Sequence, residues 1–288
     1  MQQYIDLVNK VLLEGTLKEN RTGVDTIGIF GHFYKHALKD GFPLLTTKRM
    51  KWEHIVLENL WFLSGDTDIN FLKNYGIKFW DPWVDEENRV PSAYGNFWRH
   101  FPVHRQLANE TIPSFNDQIA FAVKELRNNP LSRRIVITAW SPANAQTSKL
   151  PPCHLTWVLN TQKDKEGDLC LNLALLQRSC DIALGVPYNL AGYSFLLELM
   201  AHLANLKVGE FAHTLVDAHI YVNHIDDLRV QVSRPAMPLP KLSISSDIKE
   251  LDDIEEIIAS RPALADILNI FKLDSYEAHP PVTYQVAV

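Results

Sequence analysis

The sequence predicts an α+β fold in a single domain spanning residues 1–288. Three observations carry that expectation. Helical and strand periodicities alternate along the chain without a regular βαβ repeat. Glycine and proline are scattered, and no Ser/Gly-rich linker, internal repeat or low-complexity tract divides the chain. The 288 residues are 46% hydrophobic and 22% charged, enough apolar material for one large core.

The elements follow in order. MQQYIDLVNKVLLEG (1–15) places Tyr4, Leu7, Val8, Val11 and Leu12 at helical spacing. It carries Asp6 and no basic leader, so it reads as a docked helix and not as a signal peptide. DTIGIFGHFYKHAL (25–38) partly alternates and predicts a strand. WEHIVLENLWFL (52–63) has helical period. IPSFNDQIAFAVKELRNNP (112–130) predicts a helix capped by Ser114 or Asn116 and ended by Pro130. RRIVITAW (133–140) predicts a strand. Two more follow, HLTWVLNTQ (154–162) and LCLNLALLQ (169–177), joined by KDKEGD. The second mixes polar and apolar positions, as a strand packed on both faces does. YNLAGYSFLLELMAHLANL (188–206) predicts a long buried helix; Glu198 and His202 inside it favour a core helix over a membrane span. TLVDAHIYV (214–222) predicts a strand.

Charge bounds the ligands. A net charge of -6 and a pI near 6.0 give no global basic field for nucleic acid or an anionic membrane, so an anionic ligand needs a local basic cluster. The cysteines are Cys153, Cys170 and Cys180. An odd count without paired spacing argues against a disulfide framework and fits a reducing, cytoplasmic compartment. No C-x-x-C or H-E-x-x-H motif is present, so no metal is expected. A cluster of His213, His219 and His224 has no familiar zinc spacing.

Cys153 lies in LPPCHL (150–155). As a free thiol it reads either as a small buried hydrophobe or as a nucleophile activated by nearby cations. Arg133, Arg134 and Arg178 are the candidate cations. His154 need not be its base, because strand neighbours face opposite ways. In QRSCDIALGVPYN (177–189), Arg178 and Ser179 are phosphate donors, and Gly185 lets a backbone approach a ligand. Asn189 carries an acceptor and donors that suit a base edge with adjacent N–H and C=O. The alternative is a polar turn with Asn189 as a helix cap. In DAHIYVNH (217–224), Asp217, His219 and Tyr221 share a strand face, as sugar-hydroxyl ligands or as incidental polar residues. Trp80 and Trp83 in KFWDPWVDE belong to the core or wall a pocket for a flat ring. Glu58, among Val56, Leu57, Leu60 and Trp61, is a candidate general acid or base, because a carboxylate there is costly unless used or paired.

Together these stretches carry a family signature. RTGVDTIGIFGH (21–32), GFPLLTTKR (41–49), ENLWFLSGDT (58–67), WDPWVDE (80–86), AYG (93–95), SRRI (132–135), LPPCH (150–154), QRSCDIALGVPYN (177–189), DAHIYVNH (217–224), PLPKL (238–242) and VAV (286–288) occur in order. The chain resembles the thymidylate synthases nearly end to end.

The resemblance implies a large mixed β-sheet packed by helices, with the sheet forming a homodimer interface. It implies reductive methylation of dUMP to dTMP, with 5,10-methylenetetrahydrofolate as carbon and hydride donor and no metal. Cys153 would be the nucleophile that attacks uracil C6. Glu58 would organise proton transfers through water, with Tyr94 near the reacting carbon and Asn189 reading the uracil edge. Arg21, Arg178 and Ser179 would hold the phosphate, and Arg133 and Arg134 would reach the phosphate of the partner subunit. His219 and Tyr221 would bind the sugar hydroxyl. Asp181, counted with both substrates, would bind the pterin; Trp80, Trp83 and Gly185 would line the folate side. Val288 would close over the ternary complex. No membrane or nucleic acid is required.

The chain departs from the family pattern at Val158, Phe79, Tyr188 and Gly192, which touches the folate side and the subunit interface. Two other readings compete. In a pyrimidine-nucleotide hydroxymethylase, water captures the methylene; Asn189 argues against the cytosine-specific form. A catalytically retired RNA-binding regulator fits poorly with the complete residue set and the acidic charge.

Overall fold

The computed structural model describes residues 1–107, 110–145 and 148–286, with side chains described outside 104–113 and 144. The chain opens with helix α1 (Gln2–Glu14), strands β1 (Thr16–Lys18) and β2 (Thr26–Ala37), and helices α2 (Trp52–Ser64), α3 (Asn70–Asn74) and α4 (Tyr94–His100). A hairpin of β3 (Phe101–Leu107) and β4 (Glu110–Asn116) leads to α5 (Gln118–Asn128), β5 (Ile135–Thr138) and α6 (Pro142–Ala145). Next come β6 (His154–Lys163), β7 (Leu169–Asp181), α7 (Gly185–Ala204) and β8 (Lys207–Tyr221). The chain then adds α8 (Ile225–Ser233), β9 (Lys241–Ile244), α9 (Leu251–Ser260), α10 (Leu264–Ile270) and β10 (Phe271–Asp274).

Six strands make one mixed sheet in the order β1-β2-β8-β7-β6-β5. Its neighbours are antiparallel except β7 and β8, which run parallel because α7 returns the chain between them. α7 is apolar on nearly every face, with Leu190, Phe195, Leu196, Leu197 and Met200 buried, and it packs on β7, β8, α2 and α5. A helix apolar all round belongs inside a layered domain. Its first turn contains Pro187, tolerated where the backbone N–H has no intrahelical partner. One continuous core joins α1, α2, α4, α7 and the sheet. The sheet strands also leave Phe30, Phe33, Val136 and Leu176 exposed.

α4 is fixed by close approach. A Cβ on Gly95 would lie 2.1 Å from the Phe62 carbonyl oxygen of α2, so no larger residue fits without separating the two helices. That contact sets the position of Tyr94, the first residue of α4.

The expected helix over 112–130 begins later. Residues 110–116 pair with β3, and α5 starts at Gln118 with Asp117 as its N-cap, its carboxylate accepting from Ala120 N–H at 2.9 Å. The buried stripe Ile119, Ala122, Val123 and Leu126 starts only after this point, and neither Ser114 nor Asn116 caps. α7 begins at Gly185, ahead of the expected 188, so Asn189 lies inside the first turns and is no cap. β7 and β8 run longer than their alternating cores, to Asp181 and from Lys207.

Candidate active site

β7 and β8 end side by side, and their parallel register sets Ser179 opposite Asp217 and Asp181 opposite His219. Beyond these ends lies a cavity of about 750 Å³. The β1–β2 loop contributes Arg21, α2 Glu58, the following turn Trp80 and Trp83, and α4 Tyr94. Cys153, Arg178, Ser179, Asp181, Gly185, Asn189, His219 and Tyr221 line the rest. Residues separated by more than half the chain thus meet in one pocket.

Cys153 is held in place from two sides. Its N–H donates to the Tyr94 hydroxyl oxygen at 3.0 Å, and its carbonyl accepts from Arg178 N–H at 2.9 Å. The Arg178 guanidinium clamps the preceding prolines: Nε donates to the Pro152 carbonyl at 2.9 Å and Nη2 to that of Pro151 at 2.6 Å. Burial pushes the Cys153 thiol up, while Arg178 and then Arg21 pull it back. Within one chain burial wins. The arginines of this chain alone therefore do not give the lowered thiol expected from the sequence, because desolvating a thiolate outweighs two partly solvated cations.

His154 is not a cationic partner for the thiol. Its ring stacks on Tyr94 with centroids 4.5 Å apart, and burial drives its pKa down to about 4, so it is neutral at pH 7. Glu58 accepts from Trp80 Nε1 at 2.9 Å, which ties the α2 carboxylate to the indole of the WDPW turn. Burial raises Glu58 to about 7, against the smaller opposing effect of that bond. A carboxyl that exchanges its proton near neutrality is suited to general acid–base work.

Asn189 faces the pocket from α7, and its Oδ1 accepts from Gln177 Nε2 at 2.9 Å. On β8, His219 and Tyr221 share the face that reaches the cavity, their rings 5.5 Å apart and nearly perpendicular. Asp217 joins them. It accepts from Lys18 at 2.8 Å, and the His219 ring, with Lys18 second, holds its carboxyl down to about 2.

The family model described as thymidylate synthase matches residues 2–288. The chain belongs to the thymidylate synthase family. Membership makes it an enzyme of one-carbon methyl transfer, with dUMP and methylenetetrahydrofolate as the substrates the family implies.

Against the thymidylate synthase pattern, the pocket gathers Cys153, Glu58, Tyr94, Asn189, Arg21 and Arg178, together with Ser179, Asp181, His219, Tyr221, Trp80, Trp83 and Gly185. Arg133 and Arg134 are exposed and do not line this chain's pocket. Val288 lies outside the described residues. Asp181 also shapes the turn into α7, where its Oδ1 accepts from Ala183 and Leu184 N–H at 3.0 and 3.2 Å. A Cβ on Gly185 would meet Asn189 Oδ1 at 3.5 Å, so the protein's own packing does not demand glycine there. Phe79 and Tyr188 are absent from the pocket lining; Phe79 is 44% exposed beside His54. Val158 pairs with Val136 and Ala174 in the sheet, and Gly192 leaves room for the Asn59 carboxamide, which an added Cβ would meet at 3.0 Å. Among the described residues no His/Cys/Asp/Glu group is arranged to hold a metal, and no described helix is long and apolar enough to cross a membrane.

Lys18, already described beside Asp217, was not singled out by the sequence, and neither were Gln177 and Lys48. Gln177 is two residues before Ser179 on one strand, and that period of two was the available signal. Lys48, in the TTKR stretch, is 3% exposed; it donates to the Ala183 carbonyl at 2.8 Å and sits over the Tyr284 ring at 4.7 Å. Burial lowers its pKa to about 8. It braces the turn between Asp181 and α7.

Proposed function

We propose that the protein catalyses the reductive methylation of dUMP to dTMP with 5,10-methylenetetrahydrofolate as carbon and hydride donor, through a covalent bond from Cys153 to uracil C6. The observation that carries this reading is one cavity holding a thiol, a carboxyl with a pKa near 7 and a primary amide aimed at the same space. Sulfur addition at C6 turns an unreactive C5 into a carbon nucleophile, which takes up the one-carbon unit. Glu58 handles protons through water while C5 loses its hydrogen, the bond from the one-carbon unit to the folate breaks, and tetrahydrofolate is released beside the methylene as the hydride source. Hydride reduces the exocyclic methylene, the Cys153–C6 bond breaks, and dihydrofolate leaves as the second product.

Arg21, Arg178 and Ser179 bind the nucleotide phosphate, and His219 and Tyr221 the sugar hydroxyl. Trp80, Trp83, Asp181 and Gly185 form the folate side, and Val288 closes over both ligands, keeping water from the methylene until hydride arrives. The working form is a cytoplasmic homodimer of one catalytic domain, residues 1–288, in which each subunit lends Arg133 and Arg134 to its partner's phosphate. The exposed Phe30, Phe33, Val136 and Leu176 on the sheet support an association surface there. The added positive charge offsets the upward push of burial on Cys153.

The test is to incubate the protein with dUMP and methylenetetrahydrofolate and identify nucleotide and folate products by mass. The reading expects dTMP and dihydrofolate. Hydroxymethyl-dUMP with tetrahydrofolate would transfer the function to the hydroxymethylase reading, and nucleotide binding without any product would transfer it to the retired binder.

A further inference from the structure

A line of buried polar side chains crosses the sheet into the base end of the pocket. Tyr34 on β2 and His213 on β8 are register partners, and the Tyr34 hydroxyl lies 2.8 Å from His213 Nδ1. His213 Nε2 lies 2.9 Å from Gln177 Oε1. Gln177 Nε2 lies 2.9 Å from Asn189 Oδ1 and 3.0 Å from the Ser179 carbonyl oxygen. Tyr34, His213 and Gln177 are 7%, 0% and 2% exposed, so water does not satisfy these groups in place of one another.

The polarity of the line follows from its one backbone member. A carbonyl only accepts, so the Gln177 atom facing Ser179 is its NH₂. Gln177 Oε1 therefore faces His213 and needs a donor there, which places the imidazole proton on Nε2. Nδ1 is then an acceptor, and the Tyr34 hydroxyl donates to it. The same Gln177 NH₂ requires Oδ1 from Asn189, which fixes the polarity of the Asn189 amide; the His154 ring also bonds this side chain. Burial drives the pKa of His213 down to about 3, so the ring stays neutral, with one donor and one acceptor.

We propose that Tyr34 and His213 are positioning residues for base choice: they lock the Gln177 amide, and through it the Asn189 amide, in the polarity that accepts from uracil N3–H and donates to O4. This rests on the uracil-nucleotide reading given above. A cytosine ring presents the reverse pattern. Turning Asn189 over to meet it would set NH₂ against NH₂ at Gln177, and turning Gln177 in response would set NH₂ against the His213 N–H. Tyr34 opposes the last escape, a proton shift to Nδ1, because its hydroxyl would then have to give up donating to that nitrogen.

His213→Phe keeps a buried ring and removes the donor; His213→Gln sacrifices the ring and restores an N–H near the Nε2 position. Tyr34→Phe is the milder third variant. Calorimetric binding and kcat/KM are measured for dUMP and dCMP. ¹⁵N spectra of the histidine rings are recorded on ligand-free wild type and Tyr34→Phe. The preference for dUMP should fall about tenfold or more in His213→Phe, with KM rising more than kcat falls, and should largely return in His213→Gln. A purely structural role predicts the opposite order, because Gln fits the ring's place less well than Phe. Wild-type His213 should carry its proton on Nε2, with a share moving to Nδ1 in Tyr34→Phe. A proton on Nδ1 in the wild type, an unchanged nucleotide preference in folded His213→Phe, or no recovery in His213→Gln would each overturn the proposal. If wild type makes no product from dUMP, the function reading fails instead, and the ring spectra and binding ratios still decide the role of Tyr34 and His213.

Discussion

Cys153 sits at a bend just before β6 that cannot relax freely. Pro151 and Pro152 have no N–H to pair, their carbonyls are occupied by Arg178, and the Cys153 N–H is taken by Tyr94. The thiol is thus presented by backbone constraints and not by a partner base. Cys153→Ser is expected to retain the fold and lose turnover by at least about a thousandfold, since a serine hydroxyl near pH 7 is a much weaker nucleophile; steady-state kinetics beside a thermal melt checks both halves. At this scale the gathering of Cys153, Glu58, Asn189 and the β8 pair around one cavity was legible in the sequence, because their residue types and motifs marked them as candidates. The sequence was illegible for His213 and Tyr34, because their meaning depends on which atom of Gln177 faces the Ser179 carbonyl. That orientation arises from strand pairing between β2, β8 and β7. The effect of burial on the Cys153 thiol was equally hidden, since desolvation belongs to packing and not to composition.

Among the elements, α7 carries a cost that its sequence announces. Glu198 lies in this largely apolar helix, and burial raises its pKa to about 7 from an ordinary value near 4.5. The folded chain therefore binds a proton that the unfolded chain has released between those two values. Stability from this group is full below pH ~4.5, falls as pH rises towards 7, and the loss is complete above that. Glu198→Gln should leave stability nearly unchanged at pH 4.5 and raise it on the order of 2 kcal/mol at pH 8, after allowance for partial solvation. Urea unfolding at the two pH values checks the sign. The segments α1, α2 and α7 were readable because each has an apolar stripe or run at helical period, and β2 because its residues partly alternate. The start of α5 was not. Residues 110–116 take their state from pairing with β3, and an apolar count over 112–130 does not separate that pairing from the helix that follows. Helix α4 is short, and its place is set by the Gly95–Phe62 approach, a contact no periodicity reports.

For the whole molecule, the question is how two chains would complete two sites. If the partner's arginines finish each phosphate site, then mixing Arg133→Ala subunits with Cys153→Ser subunits should restore activity above either parent. One site of each hybrid keeps its own thiol and receives an intact Arg133. Statistical mixing caps the recovery at about a quarter of wild-type activity per total site. Activity assays after subunit exchange, with hybrids counted by native mass, check it; hybrids without activity would remove the shared-site arrangement. The mixed sheet has a further consequence, for the chain as it is being made. β2 pairs locally with β1, yet its other edge waits for β8, and the Lys18–Asp217 bond joins residues 199 positions apart. At ribosomal rates of ~5–20 residues per second, that edge stays open for roughly 10–40 s, with Phe30 and Phe33 on the waiting strand. Closing so long a loop makes docking of β8 a late event. Because the same event brings His213 to Tyr34 and His219 to the pocket, a nascent chain acquires its nucleotide site at nearly the moment it loses its exposed edge.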